Sequence, residues 1–492
     1  MLPRTAKSIA LLTVLPALAA HANVLTYHAN NTRQGAYVAP TLTQAAAANV
    51  KLDTGFNATV SGNVYAQPLF WKPKGSKNGE VIVATESNQV SALDGVTGAT
   101  LWSVQLPASV PQSDLGCGDI NPEGVTGTPV IDPKTGTLYL DALTLVKNKP
   151  TQTLYALSLA NKGATLAGWP INVDAAVTKL GGSFSGMYQG ERSAALFFDG
   201  TLYLTYGGRY GDCLPYRGTV VQVDPTKPAL TATWQTGSGG GIWAQGGIAG
   251  DGKSLFITTG NTIGVGSTYS EGESIFRLLP GLAQSTDPKD FYAPANWQTL
   301  DTEDRDLGGT EAIPLNVDSG SGKPAPRVIA FGKDGNAYLV NRNNLGGIAG
   351  AASITPLSNT VILTAPAVYE TPSTTMVAFT NYSAEAPCSG NVVMMINVAP
   401  SGSNPVSVAW CGAFSGGGSP MITTTDGSSN PIVWVLGAEG DNLLHGFNAT
   451  TGAALFTGGG FTLSGLHHFQ TLISANDRLY VGADGKVYAF TY

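Results

Sequence analysis

Four short segments of this 492-residue chain carry residues whose types could do chemistry at a shared site. Gly239-Gly-Gly-Ile-Trp243 ends a glycine run on the largest aromatic ring. Thr259-Gly260-Asn261 offers an amide oxygen. Glu303-Asp304-Arg305-Asp306 concentrates carboxylates, and Lys333-Asp334-Gly335 supplies a cation. A tryptophan face is a flat apolar floor for a planar ligand. Asn and Asp oxygens are the hard donors that calcium takes. A carboxylate held ionised can serve as a general base. Each residue also has a plainer reading. Trp243 can pack between glycine-rich inner strands, and Asn261 can be a left-handed turn residue. Asp306 can be one of several solvated loop acids, and Lys333 a surface lysine of a hairpin.

Other polar residues are weighed in the same way. Gln67, Glu86, Gln189, Glu191 and Arg192 stand at ends of expected inner or second strands and could line an axial cavity; Glu191 and Arg192 could equally form an ion pair. His467 and His468 are adjacent on one extended segment, so they point to opposite faces and make a poor chelating pair. Cys388 precedes the apolar strand Asn391–Asn397 and Cys411 ends the next one, so a hairpin would bring them together for a disulfide. Cys117 and Cys213 lie in long loops and are candidates for a second bridge. No nucleophile elbow, phosphate loop or dinucleotide fingerprint is present, and no Cys-x-x-Cys-His haem attachment site. Any haem-borne electron acceptor would be a separate molecule.

The elements that must position these residues are strands. Charged residues are only 12% of the chain and hydrophobic residues 43%, with 62 glycines. That balance fits a turn-rich β protein and not a disordered one. One repeat is plain: Glu80–Glu86, Gln89–Asp94, Thr97-Gly98, then Leu101-Trp102. Weaker copies include Thr201-Leu-Tyr-Leu204 with Thr219–Asp224, and Arg478-Leu-Tyr-Val481 with Lys486–Phe490. Spacings of roughly 40–60 residues with about four strands each indicate propeller blades. Small-residue strands such as Ala66-Gln-Pro-Leu69 and Gly418-Ser-Pro-Met421 suit the crowded innermost positions. The expected fold is all-β, a single propeller of about eight four-stranded blades over residues 23–492, with seven as the alternative. The last unit lacks one strand. Val24–His28 is expected to supply it by pairing with Lys486–Phe490, closing the ring.

The N-terminus reads as an export signal. Arg4 and Lys7 precede the apolar run Ile9–Ala19, and Ala20-His21-Ala22 has the form a signal peptidase accepts, with cleavage after Ala22. The run is too short to span a bilayer. A periplasmic or secreted protein is expected, and four cysteines fit an oxidising compartment. The formal charge of −7 becomes −9 once Arg4 and Lys7 are removed. Nothing in that charge favours binding of nucleic acid or anionic lipid.

The segment Ala92-Leu-Asp94…Thr97-Gly98…Leu101-Trp102 resembles the tryptophan-docking motif of the pyrroloquinoline-quinone (PQQ) repeat family. The order of the four chemical segments resembles the eight-bladed quinoprotein alcohol dehydrogenases. The resemblance implies Trp243 as the quinone floor and Asn261 as a calcium ligand. It implies Asp306 as both base and calcium ligand, and Lys333 beside the quinone. Two departures stand out. The family's adjacent cysteine pair is reduced to Cys117 in Cys117-Gly118-Asp119, and the carboxylate expected after Gly207-Gly208 is Arg209, with Asp212 the nearest acid. The implied function is oxidation of a small alcohol or sugar with PQQ and calcium. The alternative is a non-catalytic binding or scaffold propeller with a protein partner.

Overall fold

The computed structural model describes residues 23–320, 323–384 and 386–492, and the leader expected at 1–22 lies outside them. The described chain folds into eight blades, each with four antiparallel strands at its centre. The first blade runs Leu69–Trp71, Glu80–Ala84, Gln89–Asp94 and Thr100–Gln105. The fourth runs Ala249–Gly250, Leu255–Thr259, Ser274–Leu278 and Phe291–Ala293. The fifth runs Ile313–Val317, Ala325–Phe331, Asn336–Asn341 and Ala352–Pro356. No helix among the described residues is long and apolar enough to cross a membrane.

Local chemistry explains the repeat. Asp94 Oδ1 accepts from the backbone N–H groups of Val96 (3.0 Å) and Thr97 (2.9 Å), and from the Thr97 hydroxyl (3.0 Å). Gly98 then takes a positive φ of 73°, which a side chain would strain. Asn448 makes the same turn with Thr450 and Thr451, ending on Gly452 at φ 74°. In the first and third blades the outer strand carries a tryptophan that packs forward onto the next blade. Trp102 lies in the cluster of Leu138, Leu140 and Leu157 of the second blade. Trp234 packs edge-on against Phe276 of the fourth blade, 4.9 Å between ring centroids. The motif is degenerate in sequence, but its packing role recurs.

The ring closes through the N-terminal region, with a different segment from the one expected. The outermost strand of the last blade is built from Lys51–Leu52 and Ala58–Thr59, which pair antiparallel with Lys486–Thr491. Val24–His28 instead starts a segment laid across the opposite end of the axis. Val24 exchanges two backbone hydrogen bonds with Phe70 of the first blade (2.8 and 2.9 Å), and Leu25 accepts from Ile131 of the second. Asn31, Gln34 and Gly35 accept from inner-strand N–H groups of the fourth, sixth and seventh blades. Ala36–Val38 then runs parallel to Met421–Thr424. At the centre, Arg33 is fully buried and donates to the carbonyls of Ile248 (2.9 Å) and Ala195 (3.0 Å) and to the Thr26 hydroxyl (2.7 Å). Burial pulls its guanidinium down to about 10, against the charge of buried Glu311, which holds it up. Both disulfides form: Cys388–Cys411 within the sixth blade, and Cys117–Cys213 between loops of the second and third, with Cα–Cα distances of 5.9 and 6.1 Å.

Arg33→Ala would leave several inner-strand carbonyls unpaired in the interior. A loss of about 3 kcal/mol or more is expected, read as a lowered midpoint in thermal or urea unfolding. An unchanged midpoint would mean that the ring does not rely on this segment.

Candidate functional site

The four candidate segments meet at the other end of the axis. Trp243 lies on the connection into the fourth blade, and Asn261 follows that blade's second strand. Asp306 lies on the connection into the fifth blade, and Lys333 sits in the hairpin between that blade's second and third strands. In a propeller these connections emerge on one face. The glycines of Gly239-Gly-Gly241 let two backbones touch: Gly240 N–H donates to the Asn261 carbonyl at 2.6 Å, and Gly260 N–H to the Gly241 carbonyl at 2.9 Å. A Cβ on Gly260 would fall 2.8 Å from the Asp306 carboxyl carbon. Glycine there is what allows the acid to approach.

Asp306 is the hub. Its Oδ1 accepts the Asn261 backbone N–H at 2.8 Å, and its Oδ2 accepts the Trp243 indole N–H at 3.0 Å. Lys333 Nζ stands 2.7 Å from the same Oδ2 and 2.7 Å from Asp304 Oδ1, and lies 5.2 Å from the centre of the Trp243 ring. The plainer readings therefore do not hold for Asp306, Lys333 and Asn261. Asp306 is 2% exposed, Lys333 is ion-paired, Trp243 is half-buried, and Asn261 has no positive φ. Burial pushes the Asp306 carboxyl up while the Lys333 charge opposes it. For Lys333, burial pulls down, but Asp306 and Asp304 outweigh it and its ammonium is held above the usual range.

Two supporting acids were not singled out from the sequence. Glu273 is fully buried and accepts the Leu307 N–H at 2.5 Å, fixing the residue after Asp306. Burial first, and then the Asp306 charge, push Glu273 well above the carboxylate range. Asp301 accepts both the N–H and the hydroxyl of Thr262 at 2.7 Å each, fixing the residue after Asn261. Nothing in the local sequence marks these two among the chain's other loop acids. Asp212 is exposed and accepts the Tyr216 hydroxyl at 2.6 Å.

The donor set does not make a calcium cage. Calcium takes six to eight oxygens. Here both Asp306 oxygens already accept N–H donors, and an ammonium balances its charge. Where the resemblance expects a carboxylate after Gly207-Gly208, Arg209 is buried in a two-pronged pair with Glu123, at 2.5 and 2.8 Å. It also donates to the carbonyls of Met187 and Gly186. Among the described residues, no three His, Cys, Asp or Glu side chains gather in a group that could hold a metal ion.

Further acids are buried in the ring. Glu86 is fully buried and accepts from Gly124 N–H at 2.6 Å, and burial pushes it up to about 8. Glu311 and Asp141 are each pushed up to about 7, again by burial. Glu191 accepts the Gly127 N–H at 2.9 Å and does not pair with Arg192. Gln189 is held by the Arg217 carbonyl and the Thr219 hydroxyl. His467 and His468 each bond a carboxylate, Asp484 at 2.6 Å and Glu439 at 2.7 Å.

No family model matches the sequence, and no curated protein matches it. Solved structures do match the fold. The quinohemoprotein alcohol dehydrogenase from Comamonas testosteroni is 16% identical with a TM-score of 0.67, covering 96% of this chain and 81% of that one. A europium-containing methanol dehydrogenase is 13% identical with a TM-score of 0.66, covering 96% and 98%. A quinohemoprotein alcohol dehydrogenase from Pseudomonas putida HK5 is 14% identical with a TM-score of 0.64, covering 96% and 80%. The chain shares the eight-bladed frame of these proteins.

The buried acids set a pH dependence. Their folded-state pKa values are raised, so the folded state binds protons that the unfolded state has released. Their stabilising contribution is full below about pH 4 and is lost as pH rises through 7 to 8. The unfolding midpoint is expected to fall between pH 5 and pH 8, and Glu86→Gln to flatten that slope. A midpoint that rises across this range would contradict the burial of neutral acids in the ring.

Proposed function

We propose that this chain is a ligand-binding propeller that keeps the frame and the aromatic floor of a quinoprotein but not its metal chemistry. The observation that carries this reading is the Lys333–Asp306 ion pair beside Trp243. It puts the protein's own ammonium against the carboxylate that a metal would need. An apolar ring face next to a paired donor and acceptor suits a small sugar or polyol, with C–H groups on Trp243 and hydroxyls on Lys333 and the exposed Asp304. Arg209 in place of a carboxylate supports the same conclusion. The paired leader and disulfide features support action outside the cytoplasm, in the periplasm or as a secreted protein.

A second reading is favoured by the meeting of Trp243, Asn261, Asp306 and Lys333 from four separate loops. It is oxidation of an alcohol or sugar by bound PQQ with calcium, with Asp306 as the base. One experiment separates the two. The exported protein is mixed with PQQ and calcium chloride, and reduction of an artificial dye by alcohols and aldoses is followed. Binding of the same sugars is read from tryptophan fluorescence. No dye reduction is expected, together with sugar binding that weakens about tenfold in Trp243→Ala. Calcium-dependent uptake of PQQ, with turnover abolished in Asp306→Asn, would establish the dehydrogenase instead.

A further inference from the structure

Gln245, two residues beyond Trp243, lines a small cavity whose polar lining the proposed function does not use. It measures about 30 Å³ and is lined in part by Tyr27, Tyr65, Gln67, Arg192, Gln245 and Thr471. That is room for roughly two water-sized groups, a head group and not a whole molecule. Tyr27, from the segment that crosses the ring, closes its floor. Gln67 locks that floor by accepting the His28 backbone N–H at 3.0 Å and donating to the Thr26 carbonyl at 3.3 Å.

The lining is polar and incompletely paired. Both amide atoms of Gln245 and the hydroxyl of Thr471 are buried with no hydrogen-bond partner, at residue exposures of 8% and 3%. Buried polar groups left so are costly unless something pairs with them. Arg192 is half-buried and lines both this cavity and the neighbouring one, which also holds Glu123, Glu191 and Arg209. The other interior guanidiniums are bonded: Arg33 to carbonyls, Arg209 to Glu123, Arg277 to Asp290. Arg192 has no hydrogen bond or ion pair with any described residue. The next residue, Ser193, donates to the carbonyls of Ile242 (3.3 Å) and Ala244 (2.9 Å), and Ala194 N–H to the Gln245 carbonyl (2.7 Å). The strand bearing Arg192 therefore runs directly beside Trp243.

We infer that this cavity is a carboxylate pocket with Arg192 as its anchor, and that the ligand is a sugar acid or a related hydroxy acid. The inference rests on the proposed binding function and names its ligand class. The guanidinium fork matches a planar carboxylate. The Gln245 amide and the Thr471 hydroxyl complete the head group's hydrogen bonds. Gln245 ties this pocket to the segment that carries Trp243. Burial favours the neutral forms of Glu86 and Glu191, so they leave the Arg192 charge largely uncancelled. A tetrahedral phosphate would overfill a space that suits a planar carboxylate.

The test is calorimetric titration of the exported protein with D-glucuronate, D-glucose and inorganic phosphate. Wild type, Arg192→Ala, Arg192→Gln and Trp243→Ala are compared. Wild type should bind glucuronate more tightly than glucose or phosphate. Both Arg192 variants should lose about 10- to 100-fold in glucuronate affinity, so that the preference for glucuronate over glucose collapses. Their unfolding midpoints should stay near wild type, because Arg192 makes no bond to lose. Undiminished glucuronate affinity in both variants, or tighter binding of phosphate, would overturn the carboxylate pocket. If Trp243→Ala still weakened glucose in that case, the binding function would survive without it. If wild type bound none of the three, both readings would fall together.

Discussion

Arg33 on the axis is the contact on which the rest of the molecule depends. A propeller ring leaves inner-strand ends around a central hole, and those ends carry polar backbone groups that must be paired. Here one arginine, carried in on residues 24–38, donates to carbonyls entering the third and fourth blades. Its neighbours accept N–H groups from the fourth, sixth and seventh. The segment closes one end of the channel and brings Tyr27 under the small cavity. The site at the other end thus has a floor because the ring needed a plug.

The site itself is a problem in charge. Asp306 is almost wholly buried, and a buried carboxylate needs a cation or a proton. The chain supplies the cation from Lys333, and further along the same face it pairs Arg209 with Glu123. Protein ammonium and guanidinium groups hold these positions. That choice fixes the geometry of Trp243, whose indole N–H is tied to the same oxygen and whose ring lies under the Lys333 ammonium. Glu273 and Asp301 hold the loops on either side through backbone N–H groups.

Much of this was legible in the sequence. The blade count, the small inner strands, the Asp–Thr–Gly turns and the Cys388–Cys411 disulfide follow from period, residue size and hairpin geometry. The meeting of Trp243, Asn261, Asp306 and Lys333 was expected instead from the resemblance of the segment order to that of the quinoprotein alcohol dehydrogenases, not from any one segment. The closing strand was misplaced for a clear reason. Val24–His28 reads as an extended apolar segment, whereas Lys51–Leu52 and Ala58–Thr59 are two-residue pieces split by a turn and leave no periodic signal. Arg33, inside Asn30-Asn-Thr-Arg33-Gln-Gly35, looks like a loop charge. Only its burial reveals its role. Whether Arg192 pairs with Glu191 was likewise undecidable from adjacency, since neighbouring residues on an extended chain face opposite ways.

The central claim is that the cations at this site belong to the protein. It is tested most directly by growing crystals of the exported protein with PQQ and europium or calcium, and collecting data at wavelengths where the metal scatters anomalously. No anomalous peak is expected between Asn261 and Asp306, with Lys333 Nζ remaining against the Asp306 carboxylate. A peak within about 2.3–2.6 Å of Asn261 and Asp306 oxygens, with Lys333 displaced, would contradict the account.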